Sequence, residues 1–335
     1  MFSSVMKYNG NDAEAGRILD SFLPDRIFDA HCHLLDTSLI PTLAGEGERV
    51  VLGAEKYREE MSPLLRFPRE LRMNAISYPD AAMRERKSGL IEKSDAFLLG
   101  ELEKDETLVG EIVVHPDEKE EDIEKRLVDP RIRGLKCYHN LSNVSDTWQA
   151  SIGDYLPRSA WEVANAKRMV ITQHMVRDGA LSDPDNLEYI RETAKSYPYA
   201  TLILAHCARA FASWTAVESA ERVKDLPNVW FDFSAVCESP AMIQILNKVG
   251  VERCMWGSDY PVCRARGKCI SLGNSFYWIY QKDLDAFSSK TRMSDHLIGT
   301  ENLMAVRQAF LICGINEDGI ERFFYGNAKS LFDGE

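Results

Sequence analysis

The chain has 335 residues, 45% of them apolar, and a formal charge of -12 from 52 acidic and 40 basic side chains. That is apolar matter for one large core or two ordinary ones. An acidic chain without a Lys/Arg-rich block argues against nucleic acid, whose binding draws on neutralised phosphates. No stretch approaches the about 18 uninterrupted apolar residues of a membrane span, and the first 25 residues hold no signal-peptide run, so a soluble, cytoplasmic protein is expected. The eight cysteines never form Cys-x-x-Cys and read as reduced, mostly buried thiols.

In chain order, eight short apolar runs bounded by polar or Pro/Gly signals predict strands: Arg26 to His33, Leu71 to Pro79, Leu108 to Pro116, Ile132 to His139, Arg168 to Met175, Thr201 to Arg209, Val229 to Val236 and Cys254 to Pro261. Segments such as Asp117 to Leu127, Asp185 to Ser196 and Pro240 to Val249 space their apolar residues three and four apart, as helices packed on a sheet do. Eight alternations predict a single (β/α)₈ barrel domain over 1–335, with residues 1–25 as an N-terminal extension. An open doubly wound sheet would alternate similarly, but neither Gly-x-Gly-x-x-Gly nor a P-loop motif is present. Long connections over 34–70 and 262–303 leave the first and last strands at their C-terminal ends, the face where barrel enzymes build their sites. The second carries Arg264, Arg266, Tyr277, Trp278 and Tyr280, which serve either substrate binding or ordinary packing.

The strongest local signal is Phe28-Asp29-Ala30-His31-Cys32-His33. On a strand, residues i and i+2 point to one side, about 6.6 Å apart at the backbone, so the two imidazoles can converge on one cation. The fifth run reaches His174, the sixth His206 and the eighth Asp259, so with His31 and His33 four histidines and an aspartate stand at strand ends that a closed barrel gathers around one mouth. Imidazole and carboxylate donors suit zinc, and also iron or manganese. Cys32 and Cys207 each neighbour a histidine, but adjacent strand side chains face opposite ways, which turns both thiols from the mouth. His115 also ends a run and reads as a pocket residue or a hydrogen-bonded core histidine.

Asp29-Ala30-His31-Cys32-His33, Leu204-Ala205-His206, Gly257-Ser258-Asp259-Tyr260-Pro261 and Tyr325-Gly326-Asn327-Ala328, in that order over most of the chain, resemble the amidohydrolase superfamily. Within it, they resemble the amidohydrolase-related branch that includes aminocarboxymuconate-semialdehyde decarboxylase-like proteins. The resemblance implies that His31, His33, His174 and Asp259 ligate one divalent metal, most simply Zn²⁺, and that His206 assists as an acid/base or electrostatic group. Such a metal activates water near neutral pH, Asp259 takes and passes its proton, and His206 as a donor stabilises an oxyanion. Lys136, at the end of the fourth run, is either a carboxylated bridge between two metals, as in binuclear members, or an ammonium that binds a substrate carboxylate. Tyr138, His139, Arg177 and Arg209 follow strand-end candidates closely and are candidate substrate contacts. Both arginines suit an acidic small molecule, and equally suit ion pairs at the barrel rim.

The expected activity is hydrolysis of an amide, ester or lactone of a small, acidic molecule. The alternatives are non-oxidative decarboxylation of an unsaturated or aromatic acid and, behind it, sugar-acid isomerisation or a metal-binding barrel that has lost catalysis. A small-molecule substrate, no nucleic acid and no membrane are the expected partners, with a homo-oligomer left open.

Overall fold

The computed structural model describes residues 6–44, 48–283 and 295–334. Eight strands form one sheet: β1 (Arg26–Cys32), β2 (Glu70–Ile76), β3 (Leu108–Val113), β4 (Ile132–Cys137), β5 (Val170–Gln173), β6 (Thr201–Leu204), β7 (Val229–Asp232) and β8 (Cys254–Met255). All neighbours are parallel and follow chain order. The barrel closes where the chain beyond β8 meets β1: Cys32 bridges Tyr260, and the His33 and Asp259 amides donate to Tyr260 O (2.7 Å) and His31 O (2.8 Å). Each expected run holds one strand, and each strand stops short of its run. The last residues of every run have left the ladder to form the mouth.

The major helices are α1 (Gly10–Asp20) before the first strand, α2 (Ala54–Leu65), α3 (Leu90–Lys104), α4 (Glu120–Arg126), α5 (Arg158–Lys167), α6 (Pro184–Ser196) and α7 (Ser239–Val249) between the strands, and α8 (Ile298–Cys313) and α9 (Asn327–Asp333) after the last. Helix α6 starts where sequence chemistry directs: the Asp183 carboxylate caps the Asp185 and Asn186 amides and Pro184 takes the first turn, where its missing N–H costs nothing. The N-terminal extension is helical through α1, capped by Asn9. No helix among the described residues is long and apolar enough to cross a membrane. All eight cysteines are free, and all but Cys313 are buried.

The barrel interior is layered. Phe28, Ala30, Val109, Val170, Ile203 and Met255 come from strands that are not all adjacent yet form one apolar cluster with Phe332 of α9, so they face the axis and α9 plugs that end. Two residues further along the same strands the character changes. Glu111 follows Val109 and Thr172 follows Val170, and the Glu111 carboxylate accepts from Thr172 Oγ1 (2.8 Å) and Asn74 Nδ2 (2.6 Å). Gly134 makes room for this layer, since a Cβ there would lie 2.4 Å from Val170 and 2.6 Å from Glu111.

Of the two long connections, the first forms a two-strand ribbon (Leu35–Asp36 with Val51–Leu52) and α2. The second forms an antiparallel hairpin, β9 (Gly267–Leu272) and β10 (Ser275–Tyr280), and then enters α8 at Ile298, within the span expected to be loop. Residues 284–294 of that connection lie outside the described residues.

Candidate active site

The first pair of imidazoles is set by the junction of β1 with the chain after β8. The pairing register of β1 shifts between Asp29 and Cys32. There the Asp29 carboxylate accepts from the His31 amide (3.1 Å), the Ser258 amide (2.9 Å) and the Tyr57 hydroxyl (2.5 Å). Burial lifts the Asp29 pKa to about 6 against these donors. Gly257 is required by the same junction, because a Cβ would come within 2.6 Å of His31 Cβ. Cys32 turns the other way, toward Asn74 O, as strand alternation requires.

His31 Nε2 and His33 Nε2 lie 3.2 Å apart, and Asp259 Oδ1 is 3.8 and 3.7 Å from them. Atoms bound to one zinc at 2.0–2.1 Å sit about 3.3 Å apart in a tetrahedron, so this trio fits a single small cation. The outer nitrogens agree. His33 Nδ1–H donates to Ile76 O (3.1 Å) and His31 Nδ1–H to Asp232 Oδ2 (2.9 Å), which leaves both Nε2 lone pairs free. Burial lowers the pKa of both rings, which favours the neutral form that a cation requires. Asp259 holds its position with φ of 52°, a left-handed conformation that a non-glycine residue adopts at a cost.

His206 approaches from β6, its ring 5.1 Å from that of His31. His206, Cys207, Ala208 and Arg209 all have φ between 55° and 61°. Four consecutive left-handed non-glycine residues cost on the order of 1–2 kcal/mol each. The turn sets His206 and Arg209 three residues apart, and both side chains line one cavity. Burial pushes the His206 pKa down to about 3. His174 lines the same cavity, 5.1 Å from the His206 ring and 4.5 Å from Tyr138, but it belongs to neither tight donor cluster, His31–His33–Asp259 or His31–His206–Asp232. Lys136 is fully buried with Nζ 3.5 Å from His31 Nε2. Burial lowers its pKa while Glu111, Asp232 and Asp259 oppose that.

The cavity holds about 300 Å³. His33, Lys136, His174, His206 and Asp259 form its polar part, and Tyr78, Tyr138, Trp148, Phe211, Phe276, Trp278 and Tyr280 its walls. Alternation along β10 puts Phe276, Trp278 and Tyr280 on the cavity face, whereas Tyr277 is 53% exposed. Phe211 ties this wall to the histidines, 5.0 Å from Phe276 and stacked on His206 at 5.4 Å. The first long connection contributes no wall residue among those described.

The remaining candidates separate clearly. Arg209 donates one N–H to Arg177 O (2.9 Å) and lies over the Phe276 ring at 5.0 Å, with no ion pair among the described residues. Arg177 is consumed by Asp183, Asp185, Ser151 and Gln149 at the rim, outside the cavity walls. His139 sits behind Trp148 and bonds Thr147 through Nδ1. Arg264 pairs with Glu60, and Arg266 with Asp12, away from the cavity. His115 is a core histidine bonded to Arg84 O. Sequence reasoning missed Asp232 and Glu111, each the lone carboxylate of an otherwise apolar strand, which is itself a signal because such groups are rarely buried without a task. Trp148 lies in a single 3-10 turn and Phe211 in a turn after β6, neither long enough for periodicity, and they gave no signal.

The Amidohydrolase family model matches residues 28–334. No curated protein matches significantly. Among solved structures, the chain is similar to an amidohydrolase from Burkholderia multivorans with bound zinc (14% identity, 92% of this chain and 99% of that one, TM-score 0.58). It is also similar to a protein from Pseudomonas putida described as a 2-pyrone-4,6-dicarboxylic acid hydrolase (16%, 93% and 99%, TM-score 0.53). A third is 5-carboxyvanillate decarboxylase from Sphingomonas paucimobilis (14%, 92% and 99%, TM-score 0.54). The matched span runs from the strand that ends at the two histidines His31 and His33 to the helix that plugs the barrel, and the chain belongs to the amidohydrolase family.

Proposed function

We propose that the chain hydrolyses a C–N or C–O bond, in an amide, ester or lactone, of a small acidic molecule. The observation that carries this reading is the meeting of His31 Nε2, His33 Nε2 and Asp259 Oδ1 at one cavity whose wall holds a guanidinium, Arg209, that has no ion pair among the described residues. One divalent cation, zinc by donor chemistry, fits His31, His33 and Asp259, with His174 and His206 close by. When bound it supplies Lewis acidity and acidifies water. A second metal requires carboxylation of Lys136.

Arg209 anchors a substrate carboxylate through its open N–H groups, and the aromatic walls orient the body of the molecule and keep bulk water out. Asp259 accepts the proton of the attacking water and returns it to the leaving nitrogen or oxygen. His206, neutral, takes a proton at Nε2 and returns it once protonated, and Lys136 places positive charge beside the developing anion.

Decarboxylation is a second reading, favoured by the aromatic walls, which suit a planar unsaturated acid, and by the likeness to the carboxyvanillate enzyme. In it the C–C bond breaks, carbon dioxide leaves, and Asp259 or His206 protonates the carbon that keeps the electron pair. A screen of lactones, amides and unsaturated acids in ¹⁸O-labelled water separates the two. Hydrolysis puts one labelled oxygen into the product, whereas carbon dioxide release with unlabelled product replaces the first reading by the second. Turnover of none of these classes by the zinc-loaded protein contradicts both.

A further inference from the structure

The carboxylate of Asp232, at the end of β7, is fully buried and divides its two oxygens between two histidines. Oδ2 accepts from His31 Nδ1 at 2.9 Å. Oδ1 accepts from the His206 amide (3.0 Å), the Ser234 amide (3.1 Å) and the Ser234 hydroxyl. Because the Ser234 proton is spent on Asp232, Ser234 Oγ has only lone pairs to offer His206 Nδ1, 2.9 Å away, and Ser234 O accepts at the same nitrogen (3.1 Å). Every partner of His206 Nδ1 is therefore an acceptor, so the ring carries its proton there.

We infer that Asp232 is a positioning residue that holds His31 and His206 together in the Nδ1–H form and turns both Nε2 lone pairs into the cavity. The link to His31 is direct, and the link to His206 runs through Ser234. The same oxygen that orders Ser234 also holds the first amide of the left-handed turn 206–209, so Asp232 ties down the start of the segment that carries Arg209. One carboxylate thereby keys a cation ligand, a proton-transfer group and the start of the turn bearing the anion seat. It follows that His206 faces the cavity as a base or ligand, not as the neutral donor that oxyanion stabilisation requires.

The consequence for cation binding rests on the proposed metal site, whereas the protonation pattern rests on geometry alone, and the test separates them. Two-dimensional ¹H–¹⁵N spectra of histidine-labelled, metal-free wild-type protein should show both His31 and His206 protonated at Nδ1. Either ring protonated at Nε2 overturns the inference, whatever any variant does.

In Asp232→Asn the amide oxygen must face the His206 and Ser234 N–H groups, which leaves its NH₂ at His31 Nδ1. His31 must then accept there and carry its proton on Nε2, and zinc affinity, read by competition with a chromophoric chelator, should fall about tenfold or more. Ser234→Ala leaves the Asp232–His31 bond intact and should weaken zinc by no more than about threefold. A folded Asp232→Asn with His31 still protonated at Nδ1, or equal losses in the two variants, overturns the inference. A wild-type protein with the expected protonation but no zinc affinity contradicts the metal site and leaves the positioning role standing.

Discussion

The two ends of this barrel are built from opposite materials. At the closed end, Phe28 stacks on Phe332 at 5.5 Å, and Arg72 lies over the Phe28 ring while pairing with Asp333 at 2.8 Å. These groups are apolar side chains packed on one another or charges that meet their opposites. At the open end, imidazoles, a lysine, carboxylates and a guanidinium are taken from water, several on left-handed backbone, and Arg209 makes a single hydrogen bond among the described residues. Folding alone would not select that arrangement. The contrast separates what holds the molecule together from what it does, and substitutions at the two ends should therefore fail in different ways.

The sharpest separation in rate should come from Asp259→Asn, which removes the proton acceptor while keeping the side chain's shape. We expect kcat to fall about 10²- to 10⁴-fold with the melting temperature nearly unchanged, and an unaltered kcat breaks the assignment. At the other end, Phe28→Ala opens a cavity against α9 and should cost about 3–5 kcal/mol in urea unfolding. Its folded fraction should keep wild-type kcat/KM, and a fall in kcat/KM of that fraction would mean the two ends are coupled.

Arg209→Met tests the anion seat. Loss of a charged hydrogen bond, about 1.5–3 kcal/mol, should lower kcat/KM for an acidic substrate roughly ten- to 150-fold. The effect should be carried mainly by KM and vanish for the neutral ester or amide of the same acid. Arg177→Ala should do least. Its partners Asp183 and Asp185 lie at the rim, Asp185 well exposed, so about 0.2–1 kcal/mol of stability and no change in KM are expected. A KM effect as large as that of Arg209→Met would erase the distinction between the two arginines.

That distinction marks the boundary of what was legible in the sequence. The eight strands were readable because each is an apolar run, and His31, His33, His174, His206 and Asp259 stood out because they end such runs. Arg177 and Arg209 each follow a strand-end histidine by three residues, so nothing local tells them apart. The difference is that the loop after Arg177 brings Asp183 and Asp185 back onto it, while the left-handed turn after β6, which contains no glycine to announce it, carries Arg209 into the cavity. Asp232 was hidden for a related reason, since its meaning lies in a bond to His31, 201 residues away, that exists only once the barrel closes. The aromatic wall was half visible: Trp278 and Tyr280 stood out in the second connection, but the alternation that puts Phe276 beside them and Tyr277 in solvent needs the hairpin.

The central claim is a cation held by the residues at the end of β1, and its most direct test is the metal content of protein purified without added metal, beside that of the His31→Ala/His33→Ala variant. The account predicts about one zinc, iron or manganese per wild-type chain and almost none in the variant. Equal metal in the two proteins, or a wild-type chain that takes up none of these metals even when supplied with them, would contradict it.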